Sequence, residues 1–174
     1  MALISGLSIE GQGFIANRIN NSQPIITQKL FIDLGAGIAE GENINGPSLI
    51  RIPDWIAPEN RADSSAVYYL YFAHHQGNYI RLAWAVDLEG PWNLYKTGSD
   101  YKSGNRGVLD LGEDDIIYVG NSLTIESHIA SPDVIVDDSN KQIVMYFHGP
   151  VREPDGQRTL VATSPDGLSF QEGI

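Results

Sequence analysis

Val67-Tyr68-Tyr69-Leu70-Tyr71-Phe72 is the stretch of this sequence that decides the fold. Aromatic and β-branched residues of this kind favour strands, and polar loops lie on both sides of the stretch. A second run of the same kind, Ile80-Arg81-Leu82-Ala83-Trp84-Ala85, follows after a short polar loop. The two runs therefore predict neighbouring antiparallel strands joined by a turn.

The segments around these two runs recur, in the same order, later in the chain. The first unit reads Pro47-Ser48-Leu49-Ile50, then the two runs above, then Gly90-Pro91-Trp92. The second unit reads Pro132-Asp133-Val134-Ile135, Ile143-Val144-Met145-Tyr146-Phe147, Thr159-Leu160-Val161-Ala162-Thr163 and Gly167-Leu168-Ser169-Phe170. Each unit predicts a four-stranded antiparallel meander of the size of a β-propeller blade, ~40 to 50 residues.

The backbone as a whole is predicted to be all-β. Almost no window has the spacing of an amphipathic helix, and 18 Gly and 9 Pro interrupt the chain every few residues. The predicted strand runs are Pro24 to Ile32, Ser48 to Ile52, Ala66 to Ala73, Asn78 to Val86, Asp115 to Val119, Asp133 to Val136, Gln142 to Phe147 and Thr159 to Thr163. The fold class expected from this pattern is a partial β-propeller.

Composition excludes several function classes. The chain has 174 residues and a net charge of −11, so nucleic acid and anionic membrane surfaces should repel it. It has no cysteine, which removes disulfides, thiolate chemistry and zinc knuckles, and no motif predicts a cofactor. No signal peptide or membrane-spanning run is recognisable, so a cytoplasmic location is expected if the N-terminus is native.

The expected organisation is one domain over residues 1–174, built from incomplete repeats. A first blade would cover about 47–95, an insertion with one strand-like piece 96–130, and an incomplete second blade 131–174. A propeller closes only with at least ~4 blades, and repeat units bury their faces against neighbours. The chain is therefore expected to be part of a longer propeller, or to associate with itself through exposed blade faces.

The connectivity of the meanders brings polar residues to one end of both units. The first strand begins at the end where the second strand finishes and the third begins, so all four histidines fall on that end. A pocket formed there is where a propeller binds small ligands. The candidate binding residues are Asn45, Ser48, His74, His75, Arg81, Ser131, His148 and Arg152.

The order of these motifs resembles the five-bladed propeller glycosidases of the family 43 clan, which contains arabinofuranosidases and xylosidases. The segments that carry the resemblance are Pro47-Ser48-Leu49-Ile50, Tyr68-Tyr69-Leu70-Tyr71, Ile80-Arg81-Leu82-Ala83, Gly90-Pro91-Trp92 and Ser131-Pro132-Asp133-Val134. It covers about residues 45 to 174. The resemblance implies a five-bladed ring, a carbohydrate ligand and hydrolysis of glycosidic bonds by acid/base catalysis in the full-length protein.

The sequence departs from that clan at the catalytic positions. The clan has an Asp before the Pro that opens each of its first two blades, and the matching residues here are Gly46 and Ser131. The remaining catalytic candidates are Asp133, Glu126 and His128. Asp133 could instead anchor its strand by hydrogen bonds, and Glu126 could instead be a solvated loop residue. Whether the chain belongs to an enzyme at all thus stays open.

The sequence also admits three other interpretations. A non-catalytic carbohydrate-binding propeller or sandwich module is the main alternative to a glycosidase. A metal site formed by His75, His128 and His148 lacks the spacing of known metal motifs, so no metal is predicted. The segment Phe31 to Gly37 resembles the glycine loop of methyltransferases that bind adenosylmethionine, but no strand–helix alternation follows it.

Overall fold

The fold is seen in a computed structural model of the chain. The structure describes residues 23–35, 41–74, 77–95, 107–110, 116–119, 123–126, 128–151 and 156–172. The helix α1 covers Gln28–Asp33, and a short 3₁₀ turn covers Pro58–Asn60. The strands are β1 Asn45–Arg51, β2 Tyr68–Ala73, β3 Tyr79–Ala85, β4 Asn93–Tyr95, β5 Leu109–Asp110, β6 Ile116–Val119, β7 Leu123–Glu126, β8 Ala130–Asp137, β9 Gln142–Val151, β10 Gly156–Ser164 and β11 Gln171–Glu172.

Sheet 1 contains the first meander expected from the sequence. Its strand order is β1-β2-β3-β4, all pairs are antiparallel, and β5 adds to β3. Tyr71 pairs with Ser48 on one side and with Leu82 on the other. The aromatic strand β2 is therefore central in the sheet, which explains why five of its six residues are buried.

Sheet 2 contains the second meander. β8 pairs with β9, β9 with β10 and β10 with β11, again all antiparallel. A hairpin of β6 and β7 joins the sheet through β9, where Ile125 pairs with Val151. The region 96–130, expected to hold one strand-like piece, thus contributes β5, β6 and β7 among the described residues.

The main core lies between the two sheets. One face of each sheet supplies its largest buried side chains, including Tyr69, Tyr71, Leu82, Met145 and Phe147. These side chains alternate along β2, β3 and β9 because successive residues of a strand point to opposite faces. We call the two faces that meet here the inner faces and the opposite ones the outer faces.

Three hydrogen bonds link distant parts of the chain across this core. The Ser48 hydroxyl accepts a hydrogen bond from the Val134 amide at 2.8 Å, which joins β1 to β8. The Tyr71 hydroxyl donates to the Gly167 carbonyl at 3.1 Å. The Trp55 indole donates to the Asp138 carboxylate at 3.1 Å. The two sheets are thereby fixed to each other by polar contacts as well as by apolar packing.

A smaller core covers the outer face of sheet 1. Phe31 of α1 is 2% exposed and makes an edge contact with Phe72 at 6.3 Å between ring centroids. The strand predicted over Pro24 to Ile32 is wrong, because residues 28–33 form α1. Lys29 and Asp33 pair at the i,i+4 spacing of a helix, and Phe31 is the one buried residue of α1, so the run has no strand-like alternation of buried side chains.

The all-β fold class is confirmed as two antiparallel sheets packed face to face. The outermost strands are displaced from their predicted positions: β4 begins at Asn93, just after Gly90-Pro91-Trp92, and β11 begins at Gln171, just after Phe170. Trp92 instead packs into the smaller core. Within the residues that the structure describes, no helix has the length and apolar character needed to cross a membrane.

Candidate functional site

The candidate site is one end of the two-sheet stack, which we call the histidine corner. It consists of Asn45, His74, His128, Ser131 and His148. β1 begins here and β2 ends here, since Asn45 pairs with Ala73. β8 begins and β9 passes here, since Ala130 pairs with His148. The up-and-down order of the strands therefore brings residues from three strand ends and from the passing strand β9 into one region.

Two histidines form the centre of this corner. The rings of His128 and His148 are 6.0 Å apart between centroids, at an interplanar angle of 62°. Both side chains are half-buried. An imidazole can donate and accept hydrogen bonds through its two nitrogens.

Backbone hydrogen bonds connect His74 to the same place. The Gly77 amide donates to the His74 carbonyl at 2.8 Å. The Ile129 amide donates to the Gly77 carbonyl at 3.0 Å. Because Ile129 directly follows His128, these two hydrogen bonds connect His74 to the histidine pair.

Asn45 brings an unused hydrogen-bond acceptor to the corner. Its side-chain Oδ1 is buried and accepts no hydrogen bond. Its Nδ2 donates only a long hydrogen bond, 3.5 Å, to the Asn43 Oδ1. A buried amide oxygen without a donor costs about 1–3 kcal/mol, so a bound group that carries an N–H or O–H would be stabilised here.

Gly46 and Ser131, which the sequence resemblance matches to the carboxylate positions of the family 43 clan, are in backbone contact. A Cβ added to Gly46 would lie 2.6 Å from the Ser131 Cα and 3.2 Å from its amide nitrogen. Gly46 also has a φ of +58°, and Ser131 has a φ of +52°. No side chain larger than hydrogen fits at position 46, so an aspartate there would require the two strands to separate.

Asp133 lies on the outer face of sheet 2. It is exposed and pairs directly with Tyr146 of β9, which is 42% exposed. Residues Tyr146 and His148 lie on the same face because they are two apart in the strand. Asp133 is thus on the same face as His148, displaced along the strand by the bulge between Ala130 and Asp133.

The side chains of Ser48 and Arg81 contact groups other than the histidine pair. The Ser48 hydroxyl is used by the Val134 amide. Arg81 is 4% exposed, and its guanidinium carbon lies 5.1 Å from the centre of the Phe31 ring and 4.9 Å from that of Phe72. It also donates to the Asn43 carbonyl at 3.0 Å. Arg81 therefore belongs to the smaller core on the outer face of sheet 1.

Other residues predicted for the site have no described side chain. His75 and Arg152 lie outside the described residues. Glu126 is described only in its backbone, where it ends β7 and pairs with Ile116. Among the described side chains, no group of three or more His, Cys, Asp or Glu residues could hold a metal ion.

The sequence indicates Asn45 only through its position at a strand end. It indicates Tyr146 only through its place in a strand. For Tyr146 a signal was present, because it lies between Met145 and Phe147, which point inward, and so must point outward. The free acceptor of Asn45 depends on the arrangement of its neighbours, and no sequence pattern reports it.

Comparison with known proteins gives a similarity to a viral protein. No protein-family profile matches the sequence. The chain is similar to an uncharacterized protein of Acanthamoeba polyphaga mimivirus, with 31% identity over 138 residues. The match covers 74% of this chain and 35% of the viral protein, so the chain spans about a third of that relative's length.

Proposed function

We propose that the histidine corner binds carbohydrate without hydrolysing it, and that the chain is part of a propeller-like carbohydrate-binding protein. The observation that carries the proposal is the buried, unused Oδ1 of Asn45, at the same end of the two-sheet stack as the half-buried pair His128 and His148. The same proposal covers any longer protein of which this chain is a part.

The chemistry of the corner fits sugar hydroxyls. A hydroxyl can donate to the Asn45 Oδ1 and accept from, or donate to, an imidazole nitrogen. Amide and imidazole groups both form hydrogen bonds with neutral hydroxyls, and the chain carries a net charge of −11. A neutral polyhydroxylated ligand suits such a site, whereas a phosphate or sulfate would meet repulsion.

The contact between Gly46 and Ser131 favours binding over hydrolysis. Glycosidases need two carboxyl groups ~5 to 9.5 Å apart on either side of the scissile bond. Gly46 and Ser131 carry none, and the 2.6 Å approach leaves no room for a carboxylate at position 46. A protein that binds carbohydrate without hydrolysing it needs no carboxylate at position 46. The close contact would therefore not impair its function.

The packing of the two meanders supports the propeller-like part of the proposal. In a propeller the first strands of neighbouring blades lie side by side around the axis. Here the first strands β1 and β8 are joined by the hydrogen bond between Ser48 and Val134. The histidine corner would then face the axial opening of a ring.

Nuclear magnetic resonance titration tests the proposal directly. Arabinotriose and xylotriose are added separately at millimolar concentrations to the histidine-labelled chain, and the ring-proton signals of its four histidines are followed. We expect saturable shifts at His128 and His148. Asn45→Leu should weaken binding by roughly tenfold or more, because the acceptor is lost. Asn140→Ala, in an exposed turn, is the matched control and should leave affinity unchanged.

Two outcomes would overturn it. The first is that neither trisaccharide moves any histidine signal. The second is hydrolysis of an aryl arabinofuranoside or aryl xyloside that is lost in Asp133→Asn, which would establish the glycosidase instead.

A further inference from the structure

Two half-buried aromatic residues lie on the inner face of sheet 1, beside the turn that joins β10 to β11. They are Trp84 of β3 and Tyr95 of β4, and the turn carries the carboxylate of Asp166. We propose that these three residues form a second binding site, here called the tryptophan site, which takes a small organic ammonium cation. This inference does not depend on the function of the histidine corner.

The strand register places the two aromatic residues next to each other. Trp84 pairs with Tyr69 of β2, and Tyr95 pairs with Leu82, which is two residues from Trp84 on β3. Trp84 and Tyr95 are therefore diagonal neighbours on one face, and residues so placed lie roughly 7–8 Å apart. Both pack against the main core and are only half-buried, so each keeps an accessible part.

The turn that carries Asp166 lies over the adjacent strand β2. A Cβ added to Gly167 would be 2.5 Å from the Tyr71 hydroxyl and 3.5 Å from the Tyr69 ring. The Tyr71 hydroxyl also donates a hydrogen bond to the Gly167 carbonyl at 3.1 Å. Because β3 is the next strand of sheet 1, the turn stands beside the half-buried aromatic residues of β3 and β4.

The Asp166 carboxylate is held in place by one oxygen and keeps the other for a ligand. Its Oδ1 accepts hydrogen bonds from the Ser164 hydroxyl at 3.0 Å and from the Leu168 amide at 2.8 Å. Within the described residues, no group donates to its Oδ2, and no Lys, Arg or His forms an ion pair with it. A cation beside Oδ2 would therefore pair with a carboxylate that is already positioned.

The negative charge of Asp166 acts at the aromatic residues. Burial raises the pKa of Tyr95, and the Asp166 carboxylate raises that pKa further. At Tyr69, burial is the main cause of the raised pKa, and the charges of Asp166 and Arg61 oppose each other. The Arg61 guanidinium donates to two carbonyls of the loop before β2, which holds it there. Of these two charges, only that of Asp166 acts on the pKa of Tyr95.

Aromatic rings beside a carboxylate suit an organic cation. The π-electrons of Trp and Tyr attract an ammonium group over the ring face, and quaternary ammonium ions are bound in this way. The net charge of −11 adds to the attraction. A neutral sugar can also stack on the rings, but it gains nothing from the negative charge. A charged probe and an uncharged probe of the same shape therefore separate the two ligand classes.

Titration with choline and with its uncharged isostere 3,3-dimethylbutanol gives the first test. A quaternary nitrogen in one molecule and a quaternary carbon in the other carry the same three methyl groups, so the two differ chiefly in charge. Nuclear magnetic resonance follows the indole N–H signals of the three tryptophans, and Trp84→Phe identifies the signal of Trp84. Choline should shift the Trp84 signal saturably and leave that of Trp92, which is 5% exposed, unchanged. The isostere should cause no saturable shift.

A matched pair of variants gives the second test. Asp166→Asn removes the charge, while the amide oxygen can keep both hydrogen bonds of the turn. It should weaken choline binding by roughly fivefold or more. Asp138→Asn removes the same charge beside Trp55 and can keep the hydrogen bond from its indole, so it should leave the affinity for choline unchanged. Circular dichroism establishes that both variants are folded.

Three outcomes would overturn the proposal. The first is that choline leaves the Trp84 signal unchanged. The second is that 3,3-dimethylbutanol shifts this signal as strongly as choline does, which would identify an uncharged ligand instead. The third is that Asp138→Asn weakens choline binding as much as Asp166→Asn does. Because these signals come from Trp84 and not from the histidines, the result is independent of the trisaccharide titration at the histidine corner.

Discussion

Gly46 lies against Ser131 so closely that a Cβ at position 46 would be 2.6 Å from the Ser131 Cα. Gly46 lies in the register shift of β1 between Asn45 and Ser48, and Ser131 lies in the register shift of β8 between Ala130 and Asp133, so their contact joins the two sheets at the histidine corner. Both have positive φ angles. Backbone contact therefore shapes the corner, and any side chain at position 46 would force Gly46 and Ser131 apart.

Gly46→Ala should destabilise the chain by roughly 3 kcal/mol or more, because it combines a left-handed backbone with a steric clash. Gly35→Ala is the control. Gly35 has a φ of +78°, but no atom lies within 4 Å of its added Cβ, so only the backbone cost of about 1–2 kcal/mol remains. Urea denaturation measures both. If Gly46→Ala and Gly35→Ala lower the free energy of unfolding equally, the close contact between Gly46 and Ser131 is contradicted.

Ser48→Ala should lower the free energy of unfolding by about 1–3 kcal/mol, because the Val134 amide loses its acceptor between the sheets. Ser139→Ala, in an exposed turn, should change it by less than about 0.5 kcal/mol. Thermal and urea unfolding report both values. A neutral Ser48→Ala would show that water replaces this bond without loss.

The chain should lose stability between about pH 10 and pH 12. Burial raises the pKa of Tyr69 to about 12 and that of Tyr71 well above its ordinary value of 10.0. A raised folded-state pKa stabilises the fold fully below the unfolded pKa, and this contribution is lost as the pH rises through the folded value. Urea midpoints measured across this pH range test the effect.

Tyr69→Phe separates this effect from general alkaline denaturation. The variant loses the hydrogen bond that the Tyr69 hydroxyl accepts from the Ala62 amide at 2.8 Å, so it should be less stable at neutral pH. Its stability should then decline less steeply above pH 10. Tyr146→Phe, at an exposed tyrosine, should follow the wild-type curve; identical slopes in all three proteins would contradict the assignment.

Asp137 should titrate below its ordinary pKa of 3.8, because the side chains of Asn140 and Gln142 donate hydrogen bonds to its carboxylate. A lowered folded-state pKa stabilises the fold above the unfolded value and loses this contribution as the pH falls. Asn140→Ala should raise the pKa of Asp137. Asp63, whose pKa is lowered by Ser65, should be unaffected, and carbon-detected nuclear magnetic resonance measures both.

The sequence predicted the two meanders because their strands are rich in aromatic and β-branched residues and are separated by clear turns. It also predicted which loops share one end, since up-and-down connectivity alone decides that. It failed at residues 28–33, where one helical turn and a half is too short to show a period and its buried Phe31 depends on contact with Phe72.

Site chemistry was less accessible than the fold. Arg81 and Leu82 are neighbours in one strand, so their side chains point to opposite faces of sheet 1. The sequence does not show which of the two points to the inner face and which points toward α1. The structure places Arg81 between two phenylalanine rings. The contact of Gly46 with Ser131 joins residues far apart in the chain, so only the assembled sheets reveal it.

The bonds from Trp55 to Asp138 and from Tyr71 to Gly167 also bear on how the chain is made. Each joins an early part of the chain to a late one, separated by 83 and 96 residues. A ribosome releases sheet 1 well before the residues that cover its aromatic inner face have been synthesised. Nascent chains of this protein therefore pass through a stage at which Tyr69 and Tyr71 face water, and a chaperone that recognises aromatic segments would find them at that stage.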